Sequence, residues 1–200
     1  LAPVIEAAAN RGIKVVLLSQ HRADADEHNP YRQAERLLAA SGARHVILRP
    51  NWFSDNFVGF WAEDVAHGRL ALPAGDERIS FIDSRDIAAA AAAALQTARF
   101  DGEAIELTGP QALTLHEAAE RLSTVSGRPI RYEPVDADGY VSALVSAGVP
   151  ADYARMLAGL FDLVRNGLTG EVCDGVERLT GRPARQLELT LRDRGMADAH

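Results

Sequence analysis

Cysteine, lysine and long apolar runs are what this chain of 200 residues has least of, and each shortage excludes a class of protein. A single cysteine, Cys173, rules out an internal disulfide framework and any cysteine-rich zinc site. Lys14 is the only lysine, so arginine carries nearly all the positive charge, and it is scattered singly. With a net charge of -7, a nucleic-acid partner is not expected. No stretch approaches the roughly 18–20 uninterrupted apolar residues of a membrane span. The longest bland run, 87–95, is mostly alanine between Asp86 and Gln96. Leu1 opens directly in a helix-like pattern with no basic leader, so a cytoplasmic protein without a membrane partner is expected. The six histidines show no metal-ligand spacing, so no metal site is expected.

Glycine pairing is missing too. None of the sixteen glycines forms Gly-x-Gly, the turn that lets backbone N–H groups approach a pyrophosphate. Gly170 and Gly175 have the spacing of a nucleotide-loop pair, but no lysine follows and no buried strand precedes them.

What is present is 47% hydrophobic content, enough for one substantial core, and an alternation of helical and strand-like segments. Residues 1–9 read as a helix stopped near Gly12, and 13–18 as a strand buried on both faces. A polar loop, 20–28, leads to Asn29, which caps a helix opened by Pro30, with Ala34, Leu37 and Leu38 as its buried stripe. Strands are expected at 45–48, 69–72, 78–82, 104–108 and 130–132. Asp83 or Ser84 caps an alanine-rich helix, with Arg85 and Asp86 paired at its start, and Thr114-Leu-His-Glu117 matches a capping box. Helices are expected at 138–147 and 151–166. The fold class is therefore α/β: residues 1–50 and 78–109 form part of a Rossmann-type parallel sheet. Residues 51–77 and 110–200 form a smaller, mainly helical lobe.

The ordered phrases "GIKVVLLS", "ERLLAASG", "HVILRPNWFSDNF", "PAGDERISFIDSRDIAAAAAAAL", "AIELTGPQALTLHEAAERLS" and "GVERLTGRP" resemble the NmrA-like branch of the atypical short-chain dehydrogenases/reductases. That resemblance implies a Rossmann sheet with a substrate lobe, and a glycine-rich turn ahead of the point where this sequence begins. Either this chain is a piece of a longer protein or it is a relative that has lost the phosphate grip. On its own, such a chain would expose an unpaired sheet edge and is expected to be poorly soluble or to dimerise.

The resemblance also nominates site residues. Ser19, closing the first strand, stands where such enzymes hydrogen-bond a substrate carbonyl, or touches the cofactor. Tyr31, at the start of the next helix, falls near the family's proton donor. The expected lysine four residues on is Glu35, and a neighbouring anion disfavours the tyrosinate, so a Ser-Tyr-Lys mechanism is not supported. Pro50 and Asn51 are expected against the nicotinamide. Trp52 and Phe53 are expected as aromatic walls of the substrate pocket, whereas Phe57 and Trp61 read as core. His28 and His21 could serve as acids or substrate contacts, although a solvated acidic loop accounts for both. The functions implied are an NAD(P)H-dependent reductase of a quinone, enone or dye, with NADP preferred and NAD allowed, or a dinucleotide-sensing regulator that acts through protein partners. A small-molecule substrate and a homodimer are the partners expected.

Overall fold

The computed structural model describes residues 1–196. The chain divides into two units, the first built from Leu1–Phe53, Ile82–Pro110 and Cys173–Arg185, the second from Ser54–Phe81, Gln111–Val172 and the residues from Gln186 on.

In the first unit, helix α1 (Ala2–Asn10) precedes strand β1 (Val15–Leu18), followed by α2 (Pro30–Ala40) and β2 (His45–Pro50). Helix α4 (Ser84–Gln96), strand β4 (Ala104–Leu107) and helix α8 (Gly175–Thr180) complete it. The three strands form one parallel sheet in the order β1-β2-β4, with Val15 opposite His45 and Leu48 opposite Ile105. Alternation along β2 feeds both faces. Ile47 packs with Ile5, Leu38 and Ala43 beneath α1 and α2. Val46 and Leu48 pack with Ile82, Ile87, Ala90, Ala94, Ile105 and Leu107 beneath α4 and α8. The alanine run presents Ala90 and Ala94, both fully buried, at helical spacing, which lets α4 lie close to the sheet.

The expected capping groups are in place. Asn29 accepts from the Tyr31 N–H, Asp83 accepts from the Arg85 N–H, and Gly12 and Gly181 take left-handed φ values of 64° and 71° after their helices.

In the second unit, α3 (Ala62–Ala66) leads into β3 (Arg69–Leu72), which pairs in parallel with β5 (Arg131–Pro134). Helix α5 (Leu115–Ser126) begins with the full Thr114–Glu117 capping box and buries Leu115, Ala118, Ala119, Leu122 and Val125. Helices α6 (Ala137–Ser146) and α7 (Ala151–Arg165) pack on each other, and α9 (Leu187–Asp193) packs on α5. Phe57 and Trp61 are buried here as expected, with Phe57 edge-on to Trp61 at 5.2 Å and 4.9 Å from Phe81.

Five expectations need correction. Strand β1 is not buried on both faces: it is an edge strand, and Leu18 and Ile13 are half exposed. Residues 78–82 form only two isolated bridges, Ile79 to Leu113 and Ile82 to Phe53, because they pass from one unit to the other. Glu35, rather than Leu37, shares the buried side of α2 with Leu38. Arg85 pairs with Asp83, while Asp86 is taken by Arg185. Segment 173–185 belongs with the sheet, because Val176 and Leu179 join its core.

Gly175 explains its own placement. It opens α8 against β4, where an added Cβ would fall 2.1 Å from the Glu106 carbonyl oxygen and 2.8 Å from Ile105 Cγ2. The spacing to Gly170 therefore reflects packing, not a nucleotide loop. Gly175→Ala is expected to cost about 3 kcal/mol or more through overpacking. Gly181→Ala, where nothing lies within 4 Å and only the left-handed φ opposes a side chain, should cost about 1 kcal/mol. Urea midpoints of the two variants check the order; equal shifts would contradict it.

Candidate functional site

The carboxyl ends of the three parallel strands hold most of the nominated residues together. The Ser19 N–H donates to the Leu48 carbonyl at 2.7 Å, and the His21 N–H donates to the Pro50 carbonyl at 3.0 Å, so the chain leaving β1 follows β2 to its end. Pro50 closes β2 opposite Leu107, and the Asn51 N–H donates to the Leu107 carbonyl at 2.9 Å. Asn51 is buried, and its side-chain oxygen accepts from the N–H of the next residue, Trp52, at 2.9 Å. The Trp52 carbonyl accepts from the Ile82 N–H, and Phe53 bridges to Ile82 and packs on the sheet core. Ser19, Pro50, Asn51 and Trp52 thus sit at the edge where open α/β sheets bind ligands.

Beside them lies a charged network that the sequence did not reveal. Arg49, on the same face of β2 as Ile47, has a side chain only 7% exposed. Its Nε donates to Glu35 Oε1 at 2.8 Å and its Nη2 to Glu35 Oε2 at 2.7 Å, a two-pronged pair. Its Nη1 donates to Asp24 at 2.7 Å and to Glu106, its register partner on β4, at 3.3 Å. Ser19 Oγ donates to Glu35 Oε1 at 2.6 Å, and His21 Nδ1 meets Glu106 Oε2 at 2.6 Å. His21, expected in a solvated loop, is 2% exposed, because its own N–H and ring tie it to β2 and β4.

Burial pushes the Glu35 carboxyl up, but the Arg49 and Ser19 hydrogen bonds and the Arg49 charge overcome this and hold it below its ordinary value of 4.5. Asp24 follows the same pattern, with burial opposing and Arg49 prevailing. Arg49 is raised, first by its hydrogen bonds to Glu35. One signal in the sequence could have found the pair: Glu35 and Leu38 stand at i, i+3 on one helix face, and Arg49 interrupts an apolar strand.

Two nominated residues lie apart from this network. Tyr31 is 48% exposed, one helical turn ahead of Glu35 and on the same face of α2. No hydrogen bond joins its hydroxyl to Ser19, whose proton goes to Glu35. His28 is solvent-exposed, and its hydrogen-bond partners among the described residues are Asp26 and, through its carbonyl, Gln33. Lys14 is no substitute for a missing catalytic lysine. It lies before β1, at the opposite end of the sheet, where Nζ donates to the Ala94 and Thr97 carbonyls at 2.6 Å and pairs with Asp101. It closes the negative end of α4 instead.

At this edge the chain brings together a buried asparagine, a serine hydroxyl and a half-buried tryptophan. They do not include a phosphate grip. The edge carries three carboxylates around one arginine, and no glycine-rich turn follows any strand among the described residues.

A three-stranded parallel sheet with helices on both faces and polar side chains at its carboxyl edge defines an α/β protein of the dinucleotide-binding kind. The model of the NmrA-like family matches residues 3–190, and the chain belongs to that family. It is 31% identical over 190 residues to the NAD(P)H azoreductase of Xenophilus azovorans, covering 92% of this chain and 66% of that protein. It is 35% identical over 175 residues to quinone oxidoreductase 2 of Escherichia coli, covering 80% of this chain and 60% of that one. The crystal structure of an NADPH-dependent quinone oxidoreductase from Escherichia coli superimposes with a TM-score of 0.87 at 29% identity, over 96% of this chain and 71% of that one. Its complex with NADPH superimposes with a TM-score of 0.85 at 28% identity, over 96% of this chain and 69% of that one. The chain spans less than two thirds of the curated relatives it matches, 60–66% of their length.

Removing one partner of the buried pair leaves an uncompensated charge. Glu35→Gln and Arg49→Met are each expected to destabilise by about 3–5 kcal/mol. The pH dependence follows from the lowered carboxyl. Its contribution is complete above the ordinary value of 4.5 and is lost as pH falls through the lower folded value. Urea unfolding between pH 7 and 3 should therefore show stability falling below about pH 4.5, and less steeply in Glu35→Gln. An unchanged acid slope in that variant would remove Glu35 from the account.

Proposed function

We propose that the complete protein is an NAD(P)H-dependent reductase that passes hydride to a small conjugated acceptor such as a quinone, enone or dye. The observation that carries this reading is the meeting of Ser19, Pro50, Asn51 and Trp52 at the carboxyl edge of the parallel sheet. Family membership supports it, as do relatives named as an NAD(P)H azoreductase and a quinone oxidoreductase. NADP is the favoured cofactor because a similar structure is an NADPH complex, with NAD allowed.

A bound reduced nicotinamide would supply the hydride. The residues of this chain bind and orient. Asn51 and the Pro50 backbone would border the ring, Ser19 would contact it from the end of β1, and the Trp52 indole, half buried, would give a flat wall that excludes water beside an aromatic acceptor. The proton that completes the reduction comes from water or from Tyr31, the exposed hydroxyl one turn beyond the network. Because no lysine stands four residues after Tyr31, positioning carries more of the rate than general acid catalysis.

One observation favours a regulator that binds dinucleotide without turnover: the residue at that fourth position, Glu35, is locked into a structural pair with Arg49. The two readings separate in one assay. The complete protein should oxidise NADPH with at least one member of a panel of quinones and dyes, and Trp52→Ala should raise KM for the acceptor about tenfold or more. Dinucleotide binding with no turnover across the panel would establish the regulator instead. Tyr31→Phe reports the proton source: a loss of about a hundredfold in kcat identifies Tyr31 as the donor, and a change of a few fold assigns the step to water.

A further inference from the structure

The hydrogen-bond direction at Ser19 carries a conclusion about what it recognises. Its oxygen lies 2.6 Å from Glu35 Oε1, the short distance of a hydroxyl bound to an ionised carboxylate. The Glu35 side chain is 1% exposed and gripped by both prongs of Arg49, with Arg32 at 3.4 Å. A carboxylate in that setting has no proton to give, so the shared hydrogen belongs to Ser19 and points at Glu35. A hydroxyl has one hydrogen. With it committed, the Ser19 oxygen keeps only lone pairs for any other partner. A carbonyl oxygen, which needs a donor, meets lone pair against lone pair there. An amide N–H or a hydroxyl meets an acceptor, and one strengthened because the donated proton leans towards an anion.

We infer that Ser19, held in this sense by Glu35 and Arg49, is an acceptor for the amino group of the nicotinamide carboxamide, and does not donate to the carbonyl of the hydride acceptor. This assignment rests on the dinucleotide reading above and reverses the role that the family resemblance implies for Ser19. Ser19 contacts the cofactor, and Glu35 and Arg49 are positioning residues that act through it.

A reduced dinucleotide in which an acetyl group replaces the carboxamide keeps the carbonyl and exchanges the amino group for a methyl. Because that exchange also changes the ring's potential, binding is measured rather than rate, by calorimetric titration of the complete protein with NADPH and with the reduced 3-acetylpyridine analogue. The unmodified protein should bind NADPH about three- to tenfold more tightly than the analogue. Ser19→Ala should weaken NADPH binding by that factor, leave the analogue unchanged, and bring the ratio to about one. Ser19→Thr, which retains the hydroxyl, should restore it. A ratio that survives in Ser19→Ala overturns the inference, as does an unmodified protein that binds both equally. So does a Ser19→Ala variant with unchanged binding but lower kcat on carbonyl acceptors. Binding with the expected ratio but no turnover would remove the reductase reading and leave this one standing, whereas no binding of either dinucleotide removes both.

Discussion

Arg49 is a full positive charge set into a strand whose neighbours are Val46, Ile47 and Leu48, and the carboxyl edge of the sheet is arranged around neutralising it. An isolated charge at that depth would cost several kcal/mol. Glu35 supplies the geometric match, with two oxygens against two N–H groups. Asp24 and Glu106 take up Nη1. Each partner comes from a different element, so the charge ties α2, the loop after β1, β2 and β4 to a single point. A pair of this kind adds little net stability over a hydrophobic replacement, but it tolerates few alternative arrangements. Its consequence here is precision: Ser19 and His21 are fixed through carboxylates that Arg49 holds in turn, and Pro50 and Asn51 continue from the strand that carries it.

The same pair decides which chemistry the edge can host. In a Ser-Tyr-Lys site, the residue four positions after the tyrosine is a cation that faces the cofactor. Here that position holds Glu35, turned under the sheet edge towards Arg49, and Lys14, the only lysine, is spent at the far end of the strands on the end of α4. Neither is available to lower the energy of a tyrosinate. On the proposed reading, what remains, fixed acceptors, a buried amide and an indole, would hold a planar ring rather than move protons through side chains.

Much of the fold was legible because local rules acted alone. The Thr114–Glu117 box, the Asn29 and Asp83 caps and the left-handed glycines formed as written, since each depends on residues three or four apart. The stripe 115, 118, 119, 122 and 125 was readable for the same reason. Misreadings arose where the partner lay far along the chain. Arg185 claims Asp86 from 99 residues away, so the adjacent Arg85 looked like its mate. Glu35 was left out of the buried stripe that included Leu37, and it is Arg49, 14 residues on, that gives it a reason to be inside. His21 read as solvated because neither Glu106 nor the Pro50 carbonyl is near it in sequence. Polar groups become buried by pairing, and pairing at long range leaves no periodic trace.

The sign of the edge limits how a dinucleotide could lie on it. Around Arg49 stand Glu35, Asp24 and Glu106, while Arg32 reaches Glu35 and the exposed Glu27, which Arg36 also holds, so the groups that meet the Arg49 guanidinium are all carboxylates. A phosphate brought here would lose its hydration and meet like charge. The nicotinamide end behaves in the opposite way: it is neutral when reduced and cationic once hydride has left, so an anionic surround opposes neither form and favours the second. On the proposed reading, the pyrophosphate would be held by other backbone, away from these carboxylates. The carboxylate-rich edge around Arg49 would then orient the ring end alone. Such a division makes ring recognition rest on short-range hydrogen bonds, and these give selectivity through groups left unpaired when the wrong ring is bound.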